Sequence, residues 1–337
     1  MLNLRISRFT IQKYQVIELM LTLKEIQKAR SELPPQIVRT PILYSYDLAS
    51  ELKAEIHCKA ENLQVTGSYK ARAAFTILNN LTEEQKKRGA AISSSGNFAG
   101  AFAFMGRLLN IPTYVVMMQK TAPFKIEKTR KYGAQVVLCE NRFEARWETL
   151  DELQKTRGIT AINTFESEGV IAGHATIGLE ILEELPDADV ILIPISSGGL
   201  LAGVAAAVKE TNPHVQVIGV QPEGSNAMYL SFKKGELQTI PSVNTICDAL
   251  VATRPGALPF SYVKKYVDDI VLVTDERVKK AVALLFKHTK LVVEPSGAVG
   301  IAAIMSGKVK TENQKIVALL TGGNVSKELF IKLLQEV

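Results

Sequence analysis

Cysteine is scarce in this chain. There are three in 337 residues, Cys58, Cys139 and Cys247, and they lie far apart. No CxxC pair and no Cys/His cluster occurs, so neither a disulfide framework nor a structural zinc site is indicated. No metal ligands are therefore assigned, and a reduced, cytoplasmic setting fits best. A basic tract is missing too: 40 basic and 34 acidic residues leave a net charge of +6 that is spread along the chain. That points to a solvated surface and no nucleic-acid partner. There is no internal repeat, low-complexity tract or long linker. One uncharged run, residues 190–208, is long enough to span a bilayer. Pro194, Ser196, Ser197, Gly198 and Gly199 interrupt it. It reads as a buried strand, a glycine turn and a small-residue helix, with no membrane partner expected. Residues 1–19 carry Arg5, Arg8 and Lys13 and no acid before Glu18. They lack the apolar core and cleavage site of a secretory signal. They read as an N-terminal extension before Met20.

The length allows two domains or one large α/β unit. The 47% hydrophobic and 22% charged content is that of a globular protein. Apolar β-rich runs alternate with helical patterns. Strands are expected at 56–60, 90–93, 112–118, 136–138, 190–195, 216–220 and 316–320. Helices are expected at 69–80, 99–109, 123–132, 142–157, 173–185, 200–211, 275–288 and 297–306, with Gly133 in a helix-stop position. Continuous apolar strands joined by helical crossovers imply mainly parallel sheets covered on both faces. Ligands then bind beyond the C-terminal ends of the strands.

Three loops fall in that position. Ser196-Ser197-Gly198-Gly199-Leu200 joins a strand to a helix, an arrangement that suits an anion such as phosphate. It has neither Walker nor GxGxxG spacing, so a nucleotide loses support. Ser93-Ser94-Ser95-Gly96-Asn97 offers hydroxyls, an amide and N–H groups that suit a carboxylate. Thr321-Gly322-Gly323-Asn324 is the third. Singly, each loop is explained as a tight turn or a helix cap, and Lys70 as a surface lysine. The order Lys70, Ser-Gly-Asn loop, glycine loop, Gly-Gly-Asn loop changes that balance.

With these residues the chain resembles the fold-type II pyridoxal phosphate enzymes, in particular the serine/threonine dehydratase and serine racemase group. The matching text runs from about Leu23 onward. It includes Arg39-Thr40-Pro41, Glu61-Asn62-Leu63-Gln64, Gly67-Ser68-Tyr69-Lys70 and Ser95-Gly96-Asn97. It continues through Val170-Ile171-Ala172-Gly173-His174, Thr176-Ile177-Gly178-Leu179-Glu180, Val293-Glu294-Pro295-Ser296-Gly297-Ala298 and Gly322-Gly323-Asn324. The resemblance implies a tryptophan-synthase-β-like fold of two domains, each with a mainly parallel twisted sheet flanked by helices. Residues 20–88 and 166–337 would form the large cofactor-binding domain and 89–165 the small closing domain.

It further implies that Lys70, beside Tyr69, holds pyridoxal phosphate as a Schiff base and then serves as base at the α-carbon. Asn97 would meet the ring hydroxyl. Ser196, Ser197, Gly198, Gly199 and Leu200 would cradle the phosphate. Thr321 would reach the pyridine nitrogen, and Glu294 would lie near the cofactor. Ser94, Ser95, Gly96 and Asn97 would bind the substrate carboxylate. A hydroxyl at the ring nitrogen does not enforce ring protonation, which favours prompt loss of a β-leaving group, with the cofactor phosphate as the acid.

The expected reaction is β-elimination and deamination of L-threonine or L-serine to a 2-oxo acid and ammonia. Two alternatives stay open: an amino acid racemase of serine or aspartate type, with Ser95 as opposite-face acid and base, and a non-catalytic binding member of the fold. This chain departs from the family pattern in three places: Ser196-Ser197 replace glycines, Phe98 replaces a histidine, and Gln221 replaces a cation-binding glutamate, which weakens a hard-cation site. Relatives suggest a homodimer. No C-terminal regulatory domain is expected.

Overall fold

The computed structural model describes residues 20–335, so the extension expected at 1–19 lies outside the described residues. In chain order come α1 (Leu23–Ser31), β1 (Ile42–Tyr44), α2 (Tyr46–Leu52), β2 (Glu55–Lys59), α3 (Lys70–Asn79) and α4 (Glu83–Arg88). There follow β3 (Ala90–Ser93), α5 (Asn97–Leu108), β4 (Thr113–Met118), α6 (Pro123–Lys131), β5 (Gln135–Cys139), α7 (Phe143–Arg157) and β6 (Thr160–Ala161). Next are α8 (Glu168–Glu184), β7 (Val190–Pro194), α9 (Gly199–Thr211), β8 (Gln216–Pro222), α10 (Ala227–Lys234) and α11 (Ala257–Tyr266). The rest is β9 (Asp269–Val273), α12 (Asp275–Thr289), α13 (Pro295–Met305), β10 (Lys315–Leu319) and α14 (Lys327–Gln335).

The strands form two sheets. One has six strands in the order β1-β2-β10-β7-β8-β9, the other four in the order β5-β4-β3-β6. Among the described residues only the β1–β2 pair is antiparallel. The fold is α/β with mainly parallel sheets flanked by helices. The central strands β7 and β10 are apolar and buried along nearly their whole length because both faces are covered. Ile191, Ile193, Val317 and Leu319 face a core shared with α8, α9 and α11. Val190, Leu192, Ile316 and Ala318 face the opposite core, shared with α12 and α13. The alternation of these neighbours between two cores is the period of two expected of a strand.

Every strand and helix read from the sequence is present. The largest difference is α8, expected from Gly173 and found from Glu168, where Ser167 caps it by accepting from Val170 N–H. Gly173 reads as a helix start, yet it sits inside the helix for packing. A Cβ there would lie 2.6 Å from Ala73 Cα and 2.9 Å from Arg72 O, so α3 and α8 touch backbone to backbone. The uncharged run at 190–208 resolves into β7, a turn and most of α9, and no helix among the described residues is long and apolar enough to cross a membrane. Cys58, Cys139 and Cys247 are free and buried.

Candidate active site

β10 lies beside β7 in the six-stranded sheet, which brings the loops after them, 195–198 and 320–324, side by side. The loop after β3 approaches from the other sheet. These strand ends enclose a cavity of about 570 Å³. Tyr69, Lys70, Ser94, Ser95, Gly96, Asn97, Ser196, Ser197, Gly198, Gly199, Leu200 and Glu294 all line it. Thr321 does not: it is buried behind the wall, where its carbonyl accepts from Tyr69 N–H at 3.2 Å.

Lys70 is delivered by a zipped turn. Thr66 and Gly67 both take positive φ, +68° and +77°. Gly67 O accepts from Gly323 N–H at 3.0 Å, and Ser68 bridges Gly322. The Lys70 side chain therefore begins where the Gly-Gly-Asn loop holds the chain. Its Nζ lies 4.4 Å from the Tyr69 ring centroid and 5.4 Å from that of Phe98. Among the described residues no carboxylate pairs with it. Burial draws its proton affinity down to about 7, opposed only in part by Glu294. Such an amine is substantially unprotonated near neutrality, as a nucleophile or base requires.

Two helix N-termini meet in this cavity. Gly198 precedes α9 and Gly96 precedes α5 in the N-cap position, and neither helix has a side-chain cap. Their first-turn N–H groups favour anions. Gly198 has φ +107°, and a Cβ there would lie 2.4 Å from Met228 Cε and 3.0 Å from Pro259 Cβ. Glycine is thus required at the turn on conformational and steric grounds. Ser95 Oγ is 3.1 Å from Thr121 Oγ1.

A polar chain closes one wall. Asn97 Nδ2 donates to Glu294 Oε1 at 2.7 Å, Asn324 Nδ2 donates to Asn97 Oδ1 at 2.9 Å, and Lys128 Nζ donates to Asn324 Oδ1 at 2.7 Å. Burial, with Asp248 next, lifts the Glu294 carboxyl to about 7. His174 packs against Tyr69 with ring centroids 4.7 Å apart. Burial, then the nearby Lys70 ammonium, holds its imidazole well below the ordinary range, so it is neutral. Neither of its ring nitrogens makes a hydrogen bond of normal geometry, nor does Thr66 Oγ1.

Three of these groups escaped the sequence reading as site residues. His174 and Asn324 sit inside recognised motifs, and the motif was the available signal. Lys128 looks like any solvated helix lysine, and only the tertiary structure turns it inward. Gln221 is fully buried, and its Oε1 accepts from Tyr229 N–H at 2.8 Å, tying the end of β8 to α10.

A family model described as pyridoxal-phosphate dependent enzyme matches residues 33–322. The chain belongs to that family and is one of its fold-type II enzymes. Among its relatives is the L-threonine ammonia-lyase of Thermotoga maritima, 38% identical over 94% of this chain and 79% of that protein. The catabolic L-threonine dehydratase of Staphylococcus aureus is 37% identical over 90% and 89%. Maize serine racemase superposes with a TM-score of 0.88 at 32% identity, covering 94% of this chain and 97% of that one.

Proposed function

We propose that this chain is an ammonia-lyase acting on L-threonine or L-serine, removing the β-hydroxyl and the amine to leave a 2-oxo acid and ammonia. The observation that carries the reading is Lys70. It is a cavity amine drawn down to about 7 by burial, opposed only in part by Glu294, with no ion-pair partner among the described residues, set where three strand-end loops converge. The residues suit pyridoxal phosphate. The turn at Gly198 admits no side chain, the first turn of α9 is uncapped, and the polar atoms on Thr66 and His174 that lack a hydrogen bond of normal geometry belong to lining residues.

When bound, the cofactor supplies an electron sink for the bond broken at the substrate α-carbon. Ser196 and Ser197 hydroxyls, with the N–H groups of Gly198, Gly199 and Leu200, would hold its phosphate. Asn97 would address its ring hydroxyl; Thr321, buried beside the lining residues, carries the neutral hydroxyl proposed for its ring nitrogen and would have to turn into the cavity to meet it. Lys70 would anchor the cofactor, then take the α-proton as an unprotonated amine. Ser94, Ser95, Gly96 and the first N–H groups of α5 would hold the substrate carboxylate against a positive helix end. Glu294, its carboxyl raised to about 7 by burial, adds little negative charge to the wall behind Asn97 below that pH.

The test is an assay of the cofactor-loaded protein with both amino acids, scoring ammonia, 2-oxo acid and D-serine. Ammonia and 2-oxo acid in step, well ahead of D-serine, are expected. D-serine appearing faster would replace this reading by a racemase, a second reading supported by Ser95 on the cavity wall and by the similarity to maize serine racemase. A loaded protein with no visible band that borohydride bleaches would leave a non-catalytic binder.

The working unit we infer is a homodimer in the cytoplasm, testable by sedimentation and fractionation. Residues 20–88 and 166–337 form its cofactor-holding domain and 89–165 its closing domain. Supporting this division, β3 to β6 make one sheet and the remaining strands the other.

A further inference from the structure

We propose that Lys128 is a positioning residue. Through Asn324 and Asn97 it places a positive charge behind the amide that addresses the ring hydroxyl of the cofactor, holding that hydroxyl in its anionic form. This rests on the cofactor reading given above.

Lys128 lies on α6 and reaches the cavity that holds Lys70. Its neighbour Lys125 is neutralised by Asp248 at 2.9 Å. Lys128 instead donates to the neutral Asn324 Oδ1 at 2.7 Å. Among the described residues no carboxylate lies within ion-pair distance of its Nζ. The cavity wall therefore carries a half-buried cation whose charge is not cancelled on the spot.

The chain leading away from it has a single sense. An ammonium only donates, so Asn324 turns its Oδ1 outward and its Nδ2 inward. That Nδ2 donates to Thr66 O at 3.0 Å and to Asn97 Oδ1 at 2.9 Å. Asn97, with its oxygen engaged, turns Nδ2 to Glu294 Oε1 at 2.7 Å. Every link donates from the cation toward the acid. The backbone carbonyls of Thr66 and Gly67, at 3.0 and 3.3 Å, hold Asn324 in the same sense, so Lys128 is one of three anchors and the only one that adds charge. Aligned hydrogen bonds polarise one another, and burial lowers the proton affinity of Lys128 while Glu294 raises it, so the two ends are coupled. A positive end favours an anion beside Asn97 and disfavours a proton on the cofactor–Lys70 linkage.

The experiment uses the full-length protein loaded with pyridoxal phosphate. Absorbance of the visible band is titrated with pH for wild type, Lys128→Met, Lys128→Gln and Lys128→Arg. Removing the cation should move the midpoint up by about one pH unit in Lys128→Met and Lys128→Gln, and Lys128→Arg should restore it. The Gln variant keeps a polar donor one atom shorter than the ammonium, so it answers even if Lys128→Met does not fold. Melting of the cofactor-free proteins is followed in parallel, since a purely structural role would lower Tm without moving the midpoint. Midpoints within about 0.2 pH units of wild type, or a band independent of pH in all four proteins, would overturn the inference alone. Wild type that takes up no cofactor would overturn the functional reading, and this inference with it.

Discussion

Arg72 and Lys70 stand two residues apart on α3, and the fold treats their charges in opposite ways. Arg72 is fully buried and fully paired. Its Nε and Nη2 donate to Glu61 at 3.0 and 2.8 Å, and its Nη1 and Nη2 donate to Glu180 at 2.7 and 2.8 Å. Lys59 completes the cluster, donating to Glu180 Oε2 at 2.8 Å and Thr40 O at 2.6 Å. Two cations meet two carboxylates, and against the pull of burial Glu61 and Glu180 hold the guanidinium above its ordinary range. Lys70, facing the cavity, has aromatic rings beside it and no paired acid. Burial then lowers its proton affinity instead of being offset. A buried charge given partners becomes structure, and one denied partners becomes reactive.

Replacing Lys70 breaks the reactive side of this contrast most. Lys70→Ala should lower ammonia release by roughly a thousandfold or more and abolish the borohydride-sensitive band. The cofactor-free fold should be no less stable near pH 7. A lysine drawn down from 10.5 to about 7 costs stability fully below pH 7, and the cost fades as pH rises to 10.5. Turnover surviving in this variant would remove Lys70 from the mechanism.

The paired side should break differently. Arg72→Met leaves Glu61 and Glu180 buried together, at a cost of about 3–5 kcal/mol in denaturant unfolding. A loss below about 1 kcal/mol would mean that the cluster behaves like a surface pair.

Glu294→Gln sharpens the comparison through pH. The carboxyl is raised from 4.5 to about 7. Its contribution is fully present below pH 4.5, declines as pH rises, and is lost above 7. The shift of about 2.5 units corresponds to at most about 3 kcal/mol. Urea melts should show Glu294→Gln gaining on wild type between pH 5 and pH 8. A constant difference across that range would contradict the assignment.

Gly198→Ala is the mildest change. A side chain at φ +107° beside Met228 and Pro259 should cost about 1–3 kcal/mol and weaken cofactor affinity, read by cofactor fluorescence. An unchanged Kd would show that this turn does not hold the phosphate.

Much of the fold was legible because parallel strands buried on both faces write apolar runs into the sequence, as at Val190–Pro194 and Lys315–Leu319. Strand β9 has the same kind of run, Asp269–Val273, and was not read. Helix α1 also went unread, although Thr22 and Glu25 form a capping box that is a usable start signal. Helices α10 and α11 carry weaker patterns and are set by packing. In the site, Lys70, Asn97 and the 196–200 turn were legible through the ordered motifs that resemble the family; backbone geometry demands a particular residue only at Gly198. Lys128 and His174 were not, since a charge on one helix or a histidine inside another shows no partner until distant segments meet.

The sequence by itself determined the alternation of strands and helices and the three strand-end loops, because these follow from local periodicity and turn chemistry, and it singled out Lys70 through the ordered motifs that resemble the family. Only the tertiary structure decided that Arg72 finds two carboxylates while Lys70 has no ion-pair partner among the described residues, and that Lys128 sits behind Asn97. Charge pairing depends on distances between segments far apart in the chain, as between Arg72 and Glu180, 108 residues apart, and no local rule encodes those distances.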